Sequence, residues 1–260
     1  MTAMRPSIAL AKLRAGKIAR CVKINTSDPR VVELAALCGF DCIWTDIEHI
    51  ANDWSTIERQ NLAAKAHGVD LLVRVSRGGY SDYVRPLELD AAGIMAPHVM
   101  DLDDARRVIH MTRFHPVGRR PLDGGNADAL FCRLPLAEYI ENANRERFVA
   151  IQIEDPEPME ELDAIAALDG IDMLFFGPGD FSHSIGDPGN FSNPALIDAR
   201  ARVAEAAVRH GKFAGTVGSP DSIGQLYGLG YRFISVGADV VGLGAYFSDI
   251  IGAFDEFEPI

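Results

Sequence analysis

Two acidic residues close apolar runs in the second half of the chain. Glu154 ends "FVAIQIE" (148–154) and Asp180 ends "FFGPGD" (175–180). Two carboxylates brought together repel unless a cation sits between them. An oxygen-rich pair with room for water suits Mg²⁺, Mn²⁺ or a similar dication such as Co²⁺. The alternative is a pair of unrelated surface acids. Gln152 shares the strand parity of Glu154, so both side chains can face the same way. "GPGD" (177–180) places Gly-Pro-Gly after a strand, a tight turn with exposed amides suited to a carboxylate, or an ordinary turn.

The first half of the chain offers a second group. The apolar run "FDCIW" (40–44) stops at Asp46, Glu48 and His49. A carboxylate beside an imidazole fixes its tautomer and raises its basicity, which makes Asp46 and His49 a candidate base for proton traffic. The competing reading is an exposed turn with a helix-capping aspartate. Arg74, inside "LLVRVS" (71–76), is too deep in an apolar strand for a bare surface. Its planar fork matches a carboxylate, supplied by a substrate or by an internal ion pair. His98, just past the fourth strand, ranks next among the histidines, and no carboxylate pattern lies close to it in sequence.

Eight β-rich runs position these residues: 19–24, 41–46, 70–75, 93–97, 148–154, 172–177, 212–217 and 231–237. Helix-length segments separate them, with apolar residues at three- and four-residue spacing. "DPRVVELAALCGF" and "PEPMEELDAIAALDG" carry Asp-Pro or Pro-Glu starts and a terminal Gly. Eight strands alternating with helices predict an α/β fold, a (β/α)₈ barrel spanning 1–260 as one domain. An open doubly wound sheet is disfavoured because "KINTSDP" lacks a Gly-rich turn after the first strand. In a barrel, the polar strand ends all point to one rim. The segment 115–133 is the longest irregular stretch and reads as a lid or rim loop. "MTAMRPSIALAKLRAGKIAR" predicts a short helix covering one end of the fold.

With 260 residues, 48% hydrophobic, the chain can fill a sizeable core. Its 37 acidic against 25 basic residues give a net charge of −12, which argues against nucleic acid or an anionic membrane as partner. A local Arg or metal still leaves room for an anionic small substrate. No apolar run reaches the ~18 residues of a membrane span. Cys21, Cys38, Cys42 and Cys132 fit no zinc spacing and read as buried free thiols of a cytoplasmic protein.

The order and spacing of "WTDIEH", "VRVSRGG", "IQIEDPEPM" and "FFGPGDFSHSIG" resemble the HpcH/HpaI aldolase family, from about residue 20 to residue 250. The resemblance implies a metal-dependent class II aldolase acting on pyruvate and 2-keto acids. It implies a barrel assembled as trimers or hexamers, with the last helix exchanged between subunits. By resemblance, Glu154 and Asp180 hold the divalent metal. Arg74 binds the keto acid and stabilises the enolate, and His49, oriented by Asp46, moves protons. Gln152 lines the site, and the amides of Gly179 and Asp180 take the substrate carboxylate. The expected reaction is reversible cleavage of a 4-hydroxy-2-keto acid to pyruvate and an aldehyde. The family's G-x-R-G segment aligns with "GRRPLDGG" (118–125), where Pro121 replaces the second Gly. Acceptor specificity is therefore the feature most open to departure. Rival readings are oxaloacetate decarboxylation, acyl-CoA lysis, Schiff-base chemistry at Lys23 and a non-catalytic ligand-binding barrel.

Overall fold

Strands form where the sequence places β-branched and aromatic residues in runs of four to eight. Helices form where apolar residues recur on one face. In the computed structural model, which describes residues 3–255 and 257, the eight strands are β1 (Ala19–Lys23), β2 (Cys42–Asp46), β3 (Asp70–Arg74), β4 (Gly93–Ala96), β5 (Phe148–Ile153), β6 (Met173–Phe176), β7 (Phe213–Gly218) and β8 (Tyr231–Ala238). All pair in parallel, β8 closes back on β1, and the barrel is complete. The helices are α1 (Ile8–Arg14), α2 (Pro29–Leu37), α3 (Trp54–Ala66), α4 (Tyr80–Glu88), α5 (Leu102–Thr112), α6 (Leu136–Glu146), α7 (Leu162–Ala166), α8 (Pro178–Ser184), α9 (Pro194–Arg209), α10 (Ile223–Leu229) and α11 (Asp239–Asp255).

Strand parity divides the core in two. Outward residues such as Ile43, Leu71, Val73, Ile151 and Phe176 pack under the helices. Inward residues, among them Trp44, Leu72, Met95, Phe175 and Phe233, fill the barrel itself. The N-terminal segment folds as expected: α1 plugs the N-terminal end of the barrel with Ala9, Leu10 and Leu13. Burying a leucine contributes about 1.5–3 kcal/mol. Asp70, at the start of β3, fixes that plug by accepting from Ser7 Oγ (2.6 Å), Ala9 N (2.8 Å) and Arg5 Nη1 (2.8 Å).

Local signals set the helix ends with one exception. Asp28 caps α2 through Arg30 N (2.9 Å), and Gly39 turns the chain out at φ 96°. The expected single helix at "PEPMEELDAIAALDG" is instead a 3₁₀ turn (Glu157–Glu160) followed by the short α7. Two of the four cysteines, Cys21 and Cys42, are buried; Cys38 and Cys132 are exposed, which corrects the reading of all four as interior thiols. No helix among the described residues is long and apolar enough to cross a membrane.

The segment 115–133 is not a rim loop of its own barrel. It follows α5, which has run back toward the N-terminal end, so the chain must traverse that end before entering β5. Asp128 N bonds Glu88 O at the end of α4, and Asp128 Oδ1 accepts from Arg147, the residue before β5 (2.6 Å). Arg120 is buried there, 3.0 Å from Asp128 and 3.1 Å from the Tyr139 hydroxyl. The departing "GRRPLDGG" segment therefore lies at the end opposite the strand-end acids of the same chain.

Helix α11 stands off the barrel. Val241, Leu243, Tyr246, Phe247, Ile251 and Phe254 are all exposed. Among the described residues, the outer face of β1 and β8 is left partly open beside α10. It forms an apolar groove of about 600 Å³ lined by Ile18, Phe40, Ile223, Ile234 and Val236, with Lys12, Lys17 and Arg20 at its edges.

Candidate active site

The C-terminal ends of β2 to β6 bring the predicted polar residues to one mouth. Glu154 immediately follows β5 and is 1% exposed. Asp180 lies in the first turn of α8. One carboxylate oxygen of each and one ring nitrogen of His98 all lie within 4.8 Å of one another, a spacing able to hold a metal ion. Burial pushes the Glu154 carboxyl up to about 7, and the nearby Asp180 charge adds to the rise against the opposing pull of His98. A buried acid raised in this way is one that a cation would stabilise in its charged form.

Gln152 shares the inward face, as its parity predicts, and its amide nitrogen donates to Glu154 Oε2. Its carbonyl oxygen is buried without a hydrogen-bond partner among the described residues. The end of β6 approaches so closely that a Cβ on Gly177 would sit 2.5 Å from Glu154 Oε2. Only glycine fits there. Pro178 opens α8 directly, so "GPGD" is a helix start rather than a free turn. Gly179 and Asp180 occupy the first turn, where leading amides have no intrahelical acceptor.

Arg74 ends β3 and Asp46 ends β2, side by side in register. The guanidinium donates to both Asp46 oxygens, through Nε at 3.2 Å and through Nη2. Lys23 Nζ lies 3.0 Å from Asp46 Oδ2. Burial opposes ionisation of Asp46, but the hydrogen bond and charge of Arg74, with Lys23, prevail and hold its carboxyl at about 2. Arg74 stacks 5.1 Å from the Trp44 ring and Lys23 4.9 Å from it. Glu48 Oε2 sits 3.0 Å from Arg74 Nε, yet off the N–H direction and without a hydrogen bond.

The expected Asp46–His49 pairing is made through the backbone only. Asp46 Oδ1 accepts from the amides of Glu48 (2.9 Å) and His49 (3.4 Å). The His49 imidazole is 56% exposed and has Glu48 as its carboxylate neighbour, at 3.4 Å. The physical reason is that the buried Arg74 and the partly exposed Lys23 take the side-chain lone pairs of Asp46.

His98 is better placed than its sequence surroundings suggested. Its backbone N–H donates to Glu154 Oε1 (2.9 Å), and its Nδ1 lies 2.8 Å from Asp155 Oδ2. Nε2 faces Glu48 Oε1 at 3.9 Å. Burial disfavours its protonation, but the Asp155 hydrogen bond and the surrounding carboxylates outweigh that and raise its pKa. Its carboxylate partners come from fifty or more residues away, so a local pattern could not reveal them. Asp155 carried no signal except its place next to Glu154.

Fold and mouth together define a barrel enzyme whose catalytic end is rich in carboxylates and holds one deeply buried arginine. The chain belongs to the HpcH/HpaI aldolase/citrate lyase family, whose profile matches residues 22–243. It is a carbon–carbon lyase. The hydroxypyruvate/pyruvate aldolase of Pseudomonas aeruginosa is 31% identical over 254 residues, covering 95% of this chain and 92% of that protein. The 5-keto-4-deoxy-D-glucarate aldolase of Shigella dysenteriae is 30% identical over 234 residues, covering 88% of this chain and 91% of the relative. The crystal structure of an HpcH/HpaI aldolase from Desulfitobacterium hafniense superimposes with a TM-score of 0.90 at 28% identity, covering 98% of both chains. The resemblance carried by the strand-end motifs is borne out, as is the (β/α)₈ barrel.

Proposed function

We propose that the enzyme cleaves a 4-hydroxy-2-keto acid reversibly into pyruvate and an aldehyde, with a divalent metal held by Glu154 and Asp180. The observation that carries this reading is the meeting of those two carboxylates beside the buried Arg74 on one rim. The donor set fits a hard or borderline dication such as Mg²⁺, Mn²⁺ or Co²⁺, and the buried Gln152 oxygen beside it has no hydrogen-bond partner among the described residues. The names of the Pseudomonas and Shigella relatives support an aldolase acting on small keto acids. The chemistry a bound dication supplies is Lewis-acid polarisation of a carbonyl.

The chain's own residues do the rest. Gly179 and Asp180 offer amides to the substrate carboxylate. Arg74, its Nε and Nη2 held by Asp46, presents Nη1 to the 2-keto oxygen and faces the negative charge that develops as the C3–C4 bond breaks. Asp46 and Lys23 keep that guanidinium in place, so little reorganisation is needed at the moment of reaction. His49, exposed at the mouth beside Glu48, accepts the 4-hydroxyl proton and returns a proton to C3. Gln152 orients Glu154. The four free cysteines suit a reducing cytoplasm as the place of work.

The same reading includes a homo-oligomer, a trimer or hexamer, in which α11 of one copy covers the β1–β8 groove of another. Complementary surfaces support this: the helix carries exposed apolar residues and Asp249. The groove is apolar and edged by Lys12, Lys17 and Arg20.

The test is pyruvate release from a panel of 4-hydroxy-2-keto acids, measured before and after chelation and after metal is restored. Activity that survives chelation, together with borohydride trapping of pyruvate on Lys23, would overturn the reading.

A further inference from the structure

Aromatic rings fill the barrel interior, and one differs in kind from Phe148, Phe175 and Phe233. Trp44, 4% exposed, meets Phe175 edge-on at 5.6 Å. Its Nε1 is buried with no hydrogen-bond partner among the described residues. A phenyl ring would fill apolar space without stranding a donor, and an unmatched buried N–H costs free energy. Packing alone therefore does not explain an indole at this position.

The neighbours of the ring supply another explanation. Lys23 of β1 is in register with Trp44, and Arg74 ends β3 on the other side of β2. Lys23 Nζ lies over the indole at 4.9 Å from its centroid, and Arg74 Cζ at 5.1 Å. Both cations also bind Asp46, two residues further along β2 on the same inward face. One carboxylate thus carries two positive groups, which repel each other. The negative face of an aromatic ring attracts both, and indole does so more strongly than phenyl. Arg74 is buried, which strengthens the contact. Asp46 grips the guanidinium along one edge, through Nε and Nη2. The indole gives it a second surface, so the group is restrained from two sides.

We propose that Trp44 is a positioning residue, whose indole face holds Arg74, with Lys23 beside it, where the guanidinium meets the negative charge that develops on the substrate. The proposal rests on the aldolase reading above and adds to it the residue that presets its arginine.

The test uses the full-length enzyme loaded with Mg²⁺ or Mn²⁺, with pyruvate as the probe. Exchange of the pyruvate methyl protons for deuterium is followed by mass spectrometry. Trp44→Leu should slow exchange about ten- to thirtyfold, the weight of a desolvated cation–π contact. Trp44→Phe keeps a weaker face and should lose less than about threefold. In an Arg74→Ala background the Trp44→Leu effect should vanish, because Trp44 acts through Arg74. Fluorinated tryptophans at position 44 weaken the face while keeping the shape, and serve if the Leu variant does not fold. The exchange rate should fall stepwise with each added fluorine. A flat fluorine series overturns the proposal. So does a Trp44→Leu loss that persists at full size without Arg74, or one that Trp44→Phe matches. A wild type that exchanges no pyruvate protons sinks the aldolase reading and the proposal with it. Exchange by the wild type with a flat series sinks the role of Trp44 alone.

Discussion

Both ends of this barrel bury charge, and they do so differently. At the N-terminal end the pairing is near complete. Arg147 holds Asp128 through Nε and Asp90 through Nη2. Arg120 and the Tyr139 hydroxyl complete Asp128, and Lys65 completes Asp90. The unmatched donors there, Nε of Arg5 and of Arg120, belong to guanidiniums that already hold a carboxylate. At the C-terminal end acids are in excess. Glu154 and Asp180 face each other, Glu48 Oε2 and Gln152 Oε1 have no hydrogen bond, and Glu154 is raised to about 7. Matched burial fixes the chain. Unmatched burial leaves free energy that a ligand can recover.

The largest effect should come from breaking the matched end. Asp128→Ala leaves Arg147 buried with one of its two carboxylates and should cost about 3–5 kcal/mol of stability. Urea unfolding measures this, and the folded fraction should keep its kcat. A midpoint unchanged by the substitution would show that the network is not structural. At the unmatched end the sign reverses. Arg74→Ala should lower kcat by about 10²–10³-fold, with a smaller stability loss because Lys23 remains on Asp46. Steady-state pyruvate release checks it, and near-normal rates would remove Arg74 from the mechanism.

Proton linkage separates the ends next. Glu154 must lose its proton to bind a cation, so Mn²⁺ affinity should fall by up to about tenfold per unit as pH drops below about 7. Without metal the direction is opposite. The raised carboxyl binds its proton more tightly folded than unfolded, so metal-free stability should decline as pH rises from the unfolded value near 4.5 toward 7. Titration calorimetry at pH 6 and 8 tests the first statement, and a flat response would place Glu154 outside the ligand set. The smallest effect belongs to Lys23→Met. The lysine is one of two cations on Asp46 and partly exposed, so the expected change is severalfold at most in kcat/KM. An abolished reaction would instead favour imine chemistry.

What could be read from the sequence follows the range of the interactions involved. Strands, barrel closure and the plugging helix come from periodicity and caps, which are local. Glu154, Asp180, Arg74 and Asp46 stand at strand ends, so parity and the barrel rule brought them to one rim in advance. The partner of His98 lies after β5, the strand that pairs with β4, and the charges that claim Asp46 lie on two neighbouring strands. Those pairings arise only on closure. The segment 115–133 was misplaced for a similar reason: its length suggested a lid, but the direction of α5 decides which end it serves.

Helix α11 has one further consequence. In the proposed oligomer, a second chain covers this segment of seventeen residues, whose Phe247, Ile251 and Phe254 are exposed in the single chain. Its folding free energy then contains a mass-action term. Heat resistance should climb with each dilution step reversed, and a sparse population of newly made chains should be more fragile than the same chains once abundant.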